Sequence, residues 1–136
     1  MSTAPLTPEL RWLGLACVLG LVHVAVQATA MTLRHGLGWN VSARDGARTK
    51  DLGLLEGRAA RALRNFLETF PVFAALTLAL VVSGRGGGEG ARAAALYVWA
   101  RAAYLPIYLL GVPVLRTLAY GVAIAGILGM LRALFA

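Results

Sequence analysis

The sequence predicts an all-α integral membrane protein, a four-helix bundle in which residues 1–136 form a single domain. Of the 136 residues, 59% are hydrophobic and only 14% are charged, which is far more apolar than a soluble domain. Four apolar runs each approach the roughly 20 residues that a helix needs to cross a hydrocarbon core about 30 Å thick. Strands fit poorly, because Ala and Leu dominate and polar residues do not alternate with apolar ones.

The four helices are predicted at about residues 10–34, 57–83, 91–112 and 114–135. The N-terminal stretch "MSTAPLTPELRW" lacks the basic region and cleavage site of a removed signal peptide, so we expect the first helix to remain as a span. The connection from Arg34 to about Arg58 is long and polar. The glycine turn "SGRGGGEG" separates the second and third helices, and "GVP" separates the third and fourth.

Basic residues indicate the orientation. Those near the first connection are Arg34, Arg44, Arg48, Lys50, Arg58, Arg61 and Arg64. By the positive-inside tendency, the first and third connections face the cytoplasm. If the source is bacterial, the membrane is the inner membrane. The net charge of +7 fits anionic headgroups better than nucleic acid, because no soluble segment interleaves basic and aromatic residues.

Cysteine and histidine do not predict a metal site. Cys17 is the one cysteine of the chain, and His23 and His35 lack the spacing of a ligand pair. The triplet Asn40-Val41-Ser42 fits a glycosylation acceptor, but the motif is common and its predicted side is cytoplasmic.

Polar side chains recur at helical spacing within the predicted spans, where ionisable groups are costly and suggest function. The second helix carries Arg61, Arg64, Asn65 and Glu68 at i, i+3, i+4 and i+7, so these side chains share one face. The third helix carries a similar stripe, and the fourth opens with Arg116, followed one turn later by Tyr120. The stripe on the third helix consists of Tyr97, Arg101, Tyr104 and Tyr108.

A purely structural explanation pairs Glu68 with Arg101 across neighbouring helices. It leaves Arg61, Arg64 and Arg116 without carboxylates, and it leaves tyrosine hydroxyls that need partners. The surplus of positive charge predicts an anionic ligand, and a small acidic peptide would match the arginines, the amide and the carboxylate.

Three motifs, "RALRNFLE" followed by "FP", then "ARAAYLPIY" and "LRTLAY", resemble the MAPEG superfamily of membrane-associated proteins in eicosanoid and glutathione metabolism. The resemblance covers residues 57 to about 121, and the helix layout extends it to the whole chain. It implies a homotrimer that binds glutathione between subunits near the cytoplasmic face, with membrane lipids and a hydrophobic small molecule or lipid as further partners.

The resemblance also implies residue roles. Arg116 is the expected catalytic residue, which holds the glutathione thiolate. The expected glutathione-binding residues are Arg34, Arg61, Arg64, Asn65, Glu68, Arg101, Tyr104, Tyr108 and Tyr120. The implied function is that of a membrane-bound transferase or peroxidase acting on a hydrophobic electrophile or lipid peroxide, with no metal.

Two other functions remain open at this stage. One is a non-catalytic lipid-binding or scaffold member of the same superfamily, against which the retained peptide-site residues argue. The other is a small proton-coupled exporter, but such transporters use a carboxylate in the first helix, and the chain has no acidic residue between Trp12 and Leu33.

Overall fold

A computed structural model describes residues 5–43 and 53–136, and these two ranges contain α-helices and no strands. The helices are α1 (Pro8–His35), α2 (Leu37–Asn40), α3 (Leu54–Val82), α4 (Gly88–Leu110) and α5 (Pro113–Phe135). All except α2 are long and apolar enough to cross a membrane. The predicted all-α, four-helix membrane bundle is therefore confirmed. Arg44, Arg48 and Lys50 of the predicted basic cluster lie outside the described residues.

Local signals explain where the helices begin and end. The Thr7 side chain caps α1 by accepting a hydrogen bond from the Leu10 amide, and a proline occupies the first turn of α1. Gly36 ends α1 with a φ of +84°, a left-handed conformation that glycine adopts without strain. The short helix α2 that follows was not predicted, because the polar connection showed no periodic apolar pattern.

The core lies where α4 packs against the other three long helices, and its most extensive interface is with α5. Small residues permit this closeness. A Cβ on Gly126 of α5 would lie 2.9 Å from the carbonyl oxygen of Ala93 on α4. The buried apolar side chains include Phe73, Leu80, Tyr97 and Met130.

Polar contacts join the helices at both ends of the bundle. At the end that holds the glycine turn, Glu9 accepts a hydrogen bond from the Gly87 amide, and Arg132 pairs with Glu89. At the opposite end, the His35 ring lies 3.2 Å from the Glu56 carboxylate and ties α1 to the first turn of α3. We call these the glycine-turn end and the opposite end.

Candidate functional site

The polar stripe predicted on the third membrane helix, α4, faces the bundle interior. Tyr97, Arg101, Tyr104 and Tyr108 are all buried. Tyr97 has a structural role, because its hydroxyl lies 3.0 Å from Oγ1 of Thr69. The other three approach the opposite end of the bundle, where α4 meets α5.

Arg101 is a fully buried cation with few protein partners. Its Nη1 donates a hydrogen bond of 2.8 Å to Oδ1 of Asn65, and its guanidinium carbon lies 4.7 Å from the centre of the Tyr104 ring. Its Nε and Nη2 have no hydrogen-bond partner among the described residues. A buried guanidinium with two unpartnered nitrogens is costly, so an additional acceptor at this position would stabilise it.

The ion pair expected between Glu68 and Arg101 does not form, and that prediction is wrong. Glu68 is exposed and makes no ion pair with any residue that the structure describes. The physical reason is rotation around α3: Asn65 lies nearer the buried side of the helix than Glu68 does. A neutral amide therefore orients Arg101 without compensating its charge.

The remaining charged residues of the α3 stripe lie on the surface of the single chain. Arg61, Arg64 and Glu68 are exposed, whereas Asn65 is half-buried. The four residues share a broad face of the helix as their spacing predicts, and of the four, Asn65 forms a hydrogen bond to a neighbouring helix, with Arg101. One copy of the chain thus brings together part of the predicted set.

A cleft of about 300 Å³ opens between α3, α4 and α5 near the opposite end. Arg116 lies in it with its guanidinium carbon 4.9 Å from the centre of the Tyr108 ring, a cation–π contact that orients the charge. The lining residues are Asn65, Tyr104, Tyr108, Arg116, Thr117 and Tyr120. Five of these six were predicted from the sequence. Thr117 was missed, although it directly follows Arg116 in the sequence.

The chemistry of the cleft favours anions. Arg116 is the one charged side chain in its lining. The hydroxyls of Tyr104, Tyr108 and Tyr120 form no hydrogen bond with any described residue, so all three can donate to a ligand. An arginine beside three available hydroxyls can hold a carboxylate or stabilise a thiolate.

The turn between α4 and α5 sets the distance between Tyr108 and Arg116. Gly111 has a φ of +77° and closes α4 with a left-handed residue, while Pro113 begins α5. Nη1 of Arg58, on α3, donates a hydrogen bond of 2.9 Å to the carbonyl oxygen of Leu109. Arg58 thereby fixes the end of α4 next to the cleft. In the sequence, this role is indicated by a basic residue one turn before Arg61 and by a glycine-containing turn between the third and fourth predicted helices.

Arg34 does not line the cleft. It is exposed at the end of α1, and its side chain lies beside Gly53, where α3 begins. Across residues 5–43 and 53–136, no group of three or more His, Cys, Asp or Glu residues is placed to hold a metal ion.

Comparison with known proteins identifies a family for this chain. The family model described as the MAPEG family matches residues 12–136. Neither the curated proteins nor the solved structures contain a match to this chain. The family match covers essentially the whole chain and confirms the resemblance that the motifs on α3, α4 and α5 indicated. This integral, multi-pass membrane protein belongs to the MAPEG family.

Proposed function

We propose that the protein is a membrane-bound, glutathione-dependent transferase or peroxidase that activates the glutathione thiolate. The observation that supports this most strongly is the position of Arg116, held over the Tyr108 ring in a cleft whose lining contains no carboxylate. The hydrophobic substrate is an electrophile or a lipid peroxide that reaches the sulfur from the bilayer.

Glutathione fits the donors and acceptors around the cleft. It carries two carboxylates, an amino group, two amides and one thiol. The tyrosine hydroxyls and Arg116 supply donors for its anionic groups, and Asn65 supplies an amide. Arg101, which donates to the lining residue Asn65, has two unpartnered nitrogens, and an acidic ligand in the cleft would reduce the cost of that buried charge.

We propose in addition that the active form is a homotrimer in which a neighbouring copy completes the site. Arg61, Arg64 and Glu68 are exposed on a helix that spans the membrane, and charges facing lipid at depth are unfavourable. A second copy packed over this face would enclose the charged groups together with the ligand. Arg34, which one chain keeps out of the cleft, could then reach the site of a neighbouring copy.

The proposed chemistry is thiolate activation. A free thiol has a pKa near 8.5 and is mostly protonated at neutral pH. A neighbouring guanidinium favours the anion, so Arg116 lowers the pKa of the bound thiol, and a tyrosine hydroxyl adds a hydrogen bond to the sulfur. The site then contributes positioning and electrostatic stabilisation.

Two outcomes follow from the same thiolate. Attack on an electrophilic carbon forms a carbon–sulfur bond and releases a leaving group or, after ring opening, a protonated oxygen. Attack on a lipid hydroperoxide gives the lipid alcohol and a glutathione sulfenic acid, which a second glutathione converts to the disulfide and water. The basic residues around the first and third connections support a cytoplasmic location for this site.

Isothermal titration of glutathione into detergent-purified protein tests the binding step. We expect saturable binding by the parent, strong weakening in an Arg61→Ala, Glu68→Gln double variant, and unchanged binding in Arg85→Gln, which lies at the glycine-turn end. An absence of binding by folded parent protein would refute the glutathione assignment.

The Arg116→Gln variant tests the chemical step. We expect glutathione to bind but its ultraviolet thiolate absorbance at neutral pH to decrease, with kcat falling more than KM rises. Arg116→Lys should keep part of the signal because it keeps the charge. If the variant binds glutathione and turns over like the parent, Arg116 has no role in thiolate formation.

A further inference from the structure

A second candidate site lies on the other half of the molecule, in a groove between α1 and α4. The groove has a volume of about 240 Å³ and is lined by apolar side chains that include Trp12, Val18, Val22, Trp99 and Ala102. Trp12 and Trp99 meet edge to face across it, with ring centres 6.3 Å apart. Trp99 is 67% exposed although it lies halfway along α4, whereas tryptophan is usually enriched at the membrane surface.

Two exposed arginines share helix faces with residues that line this groove and lie at least one turn nearer the glycine-turn end. Arg11 directly precedes Trp12 and, at i, i+4, i+7 and i+11, shares a face of α1 with the groove residues Leu15, Val18 and Val22. Arg92 lies two turns before Trp99 on α4. Neither guanidinium group forms a hydrogen bond or ion pair with any residue in the described part of the chain. Their charge is therefore available to an external anion.

Each of the two carboxylates at the glycine-turn end has a protein partner, although Oε2 of Glu9 has none among the described residues. Glu9 is buried against the Gly87 amide, and Glu89 pairs with Arg132. Among the described residues this end carries four arginines, Arg11, Arg85, Arg92 and Arg132, against these two glutamates, which leaves an excess of two positive charges. Of the three arginines outside the Arg132–Glu89 pair, Arg11 and Arg92 share helix faces with groove residues.

The length of the groove matches one leaflet of a bilayer. From Arg11 to Val22 an α-helix rises about 16 Å, and half of a hydrocarbon core about 30 Å thick is about 15 Å. A lipid whose headgroup contacts the two arginines would therefore extend its acyl chain along the whole groove. The groove extends from the turns of α1 and α4 next to the arginines to Val22, which lies near the middle of α1.

We propose that this groove is a specific binding site for an anionic phospholipid, with the headgroup phosphate held by Arg11 and Arg92 and one acyl chain against Trp12 and Trp99. The site is separate from the Arg116 cleft, since Arg92 and Tyr108 are 16 residues, or about 24 Å, apart along α4. The proposal does not depend on the thiol chemistry.

Quenching of tryptophan fluorescence by brominated lipids tests the proposal directly. The full chain, carrying Trp39→Phe so that the signal comes from the groove, is reconstituted in phosphatidylcholine vesicles. A small fraction of brominated phosphatidylglycerol or of brominated phosphatidylcholine is then added. We expect phosphatidylglycerol to quench at much lower mole fraction. Equal quenching by both lipids would show ordinary lipid contact and overturn the proposal.

Variants distinguish specific binding in the groove from general electrostatic attraction of anionic lipid. In the Arg11→Gln, Arg92→Gln double variant, the preference for phosphatidylglycerol should fall by about 25-fold, roughly fivefold for each arginine near an anionic surface. The matched Arg85→Gln, Arg132→Gln control removes two charges from the same end outside the groove and should retain the preference. An equal loss in both double variants would refute a specific site.

Ala102→Phe fills the groove while leaving both arginines, and it should also weaken quenching. Unchanged quenching in this variant would overturn the placement of the acyl chain.

Discussion

The uncompensated charge of Arg101 makes the effect of one substitution, Asn65→Asp, calculable. It would place a carboxylate where Nη1 of Arg101 now donates to Oδ1 of Asn65 at 2.8 Å. The buried guanidinium would gain a counter-charge without a large change in side-chain shape. We expect a more stable protein with an impaired glutathione site.

The size of the gain follows from two opposing contributions. At a separation of about 4 Å between charge centres and an effective dielectric constant of about 20, the attraction is about 4 kcal/mol. Burying a carboxylate fully costs several kcal/mol, but Asn65 is half-buried and lines an open cleft, so we take this cost as about 2–3 kcal/mol. The net stabilisation is about 1–2 kcal/mol, which raises Tm by several degrees in a domain of roughly this size.

Thermal unfolding in detergent, followed by circular dichroism, measures this change, and titration with glutathione measures its cost to function. The new carboxylate should repel the ligand and weaken binding by at least about tenfold, or 1.4 kcal/mol.

Asn65→Leu should instead destabilise the protein by about 1.5–3 kcal/mol, because Arg101 loses a hydrogen bond. Exposed, unpaired Glu68→Gln should change stability by less than about 0.5 kcal/mol. If Asn65→Asp unfolds at the same or a lower temperature than the parent, Arg101 does not lack a counter-charge.

Two glycine substitutions test the packing around the site. Gly126→Ala should destabilise the protein by roughly 1–3 kcal/mol, because its Cβ would press on the α4 backbone. In the control, Gly121→Ala on the same helix, the new Cβ meets no atom within 4 Å, so this variant should be neutral or slightly stabilising. Equal Tm values for the two variants would contradict the close approach of α4 and α5. Gly111→Ala requires a left-handed alanine, which costs roughly 1–2 kcal/mol, and its Cβ would also displace the Arg58 guanidinium. It should therefore lower both Tm and glutathione affinity, and retention of parent values for both would show that this turn does not set the cleft.

Sequence patterns could predict the spanning helices, because run length and composition are enough to identify them. The short helix α2 could not be predicted, since it depends on Gly36 ending α1 with a positive φ and on contacts rather than on periodicity. The cleft was largely predictable for a similar reason: Tyr104, Tyr108, Arg116 and Tyr120 lie on two helices joined by a short turn, so they must lie near one another.

The rotation of α3 within the bundle could not be predicted. At about 100° per residue, Arg61, Arg64 and Glu68 fall within about 60° of one another, and the buried side chains of α3 centre about 100° from Arg61. Asn65 lies between the two directions. Periodicity places the four residues on one broad face, but only the contacts with α4 decide which member of that face reaches Arg101. The incorrect pairing of Glu68 with Arg101 arose because the sequence does not determine the rotation of α3 within the bundle.

The rotation of α3 within the bundle also bears on function, because it determines where the charged residues of this helix face. A face that carries Arg61, Arg64 and Glu68 along a membrane-spanning helix cannot remain against lipid without a large cost, and the chain has no further described helix to cover it. Arg101 presents a related problem inside the bundle, where two of its nitrogens have no partner. One arrangement resolves both: an acidic ligand beside Asn65, enclosed by a second copy of the chain packed on α3. Charged groups that make a single chain unfavourable in the membrane would then be the contacts that hold its ligand and its neighbour.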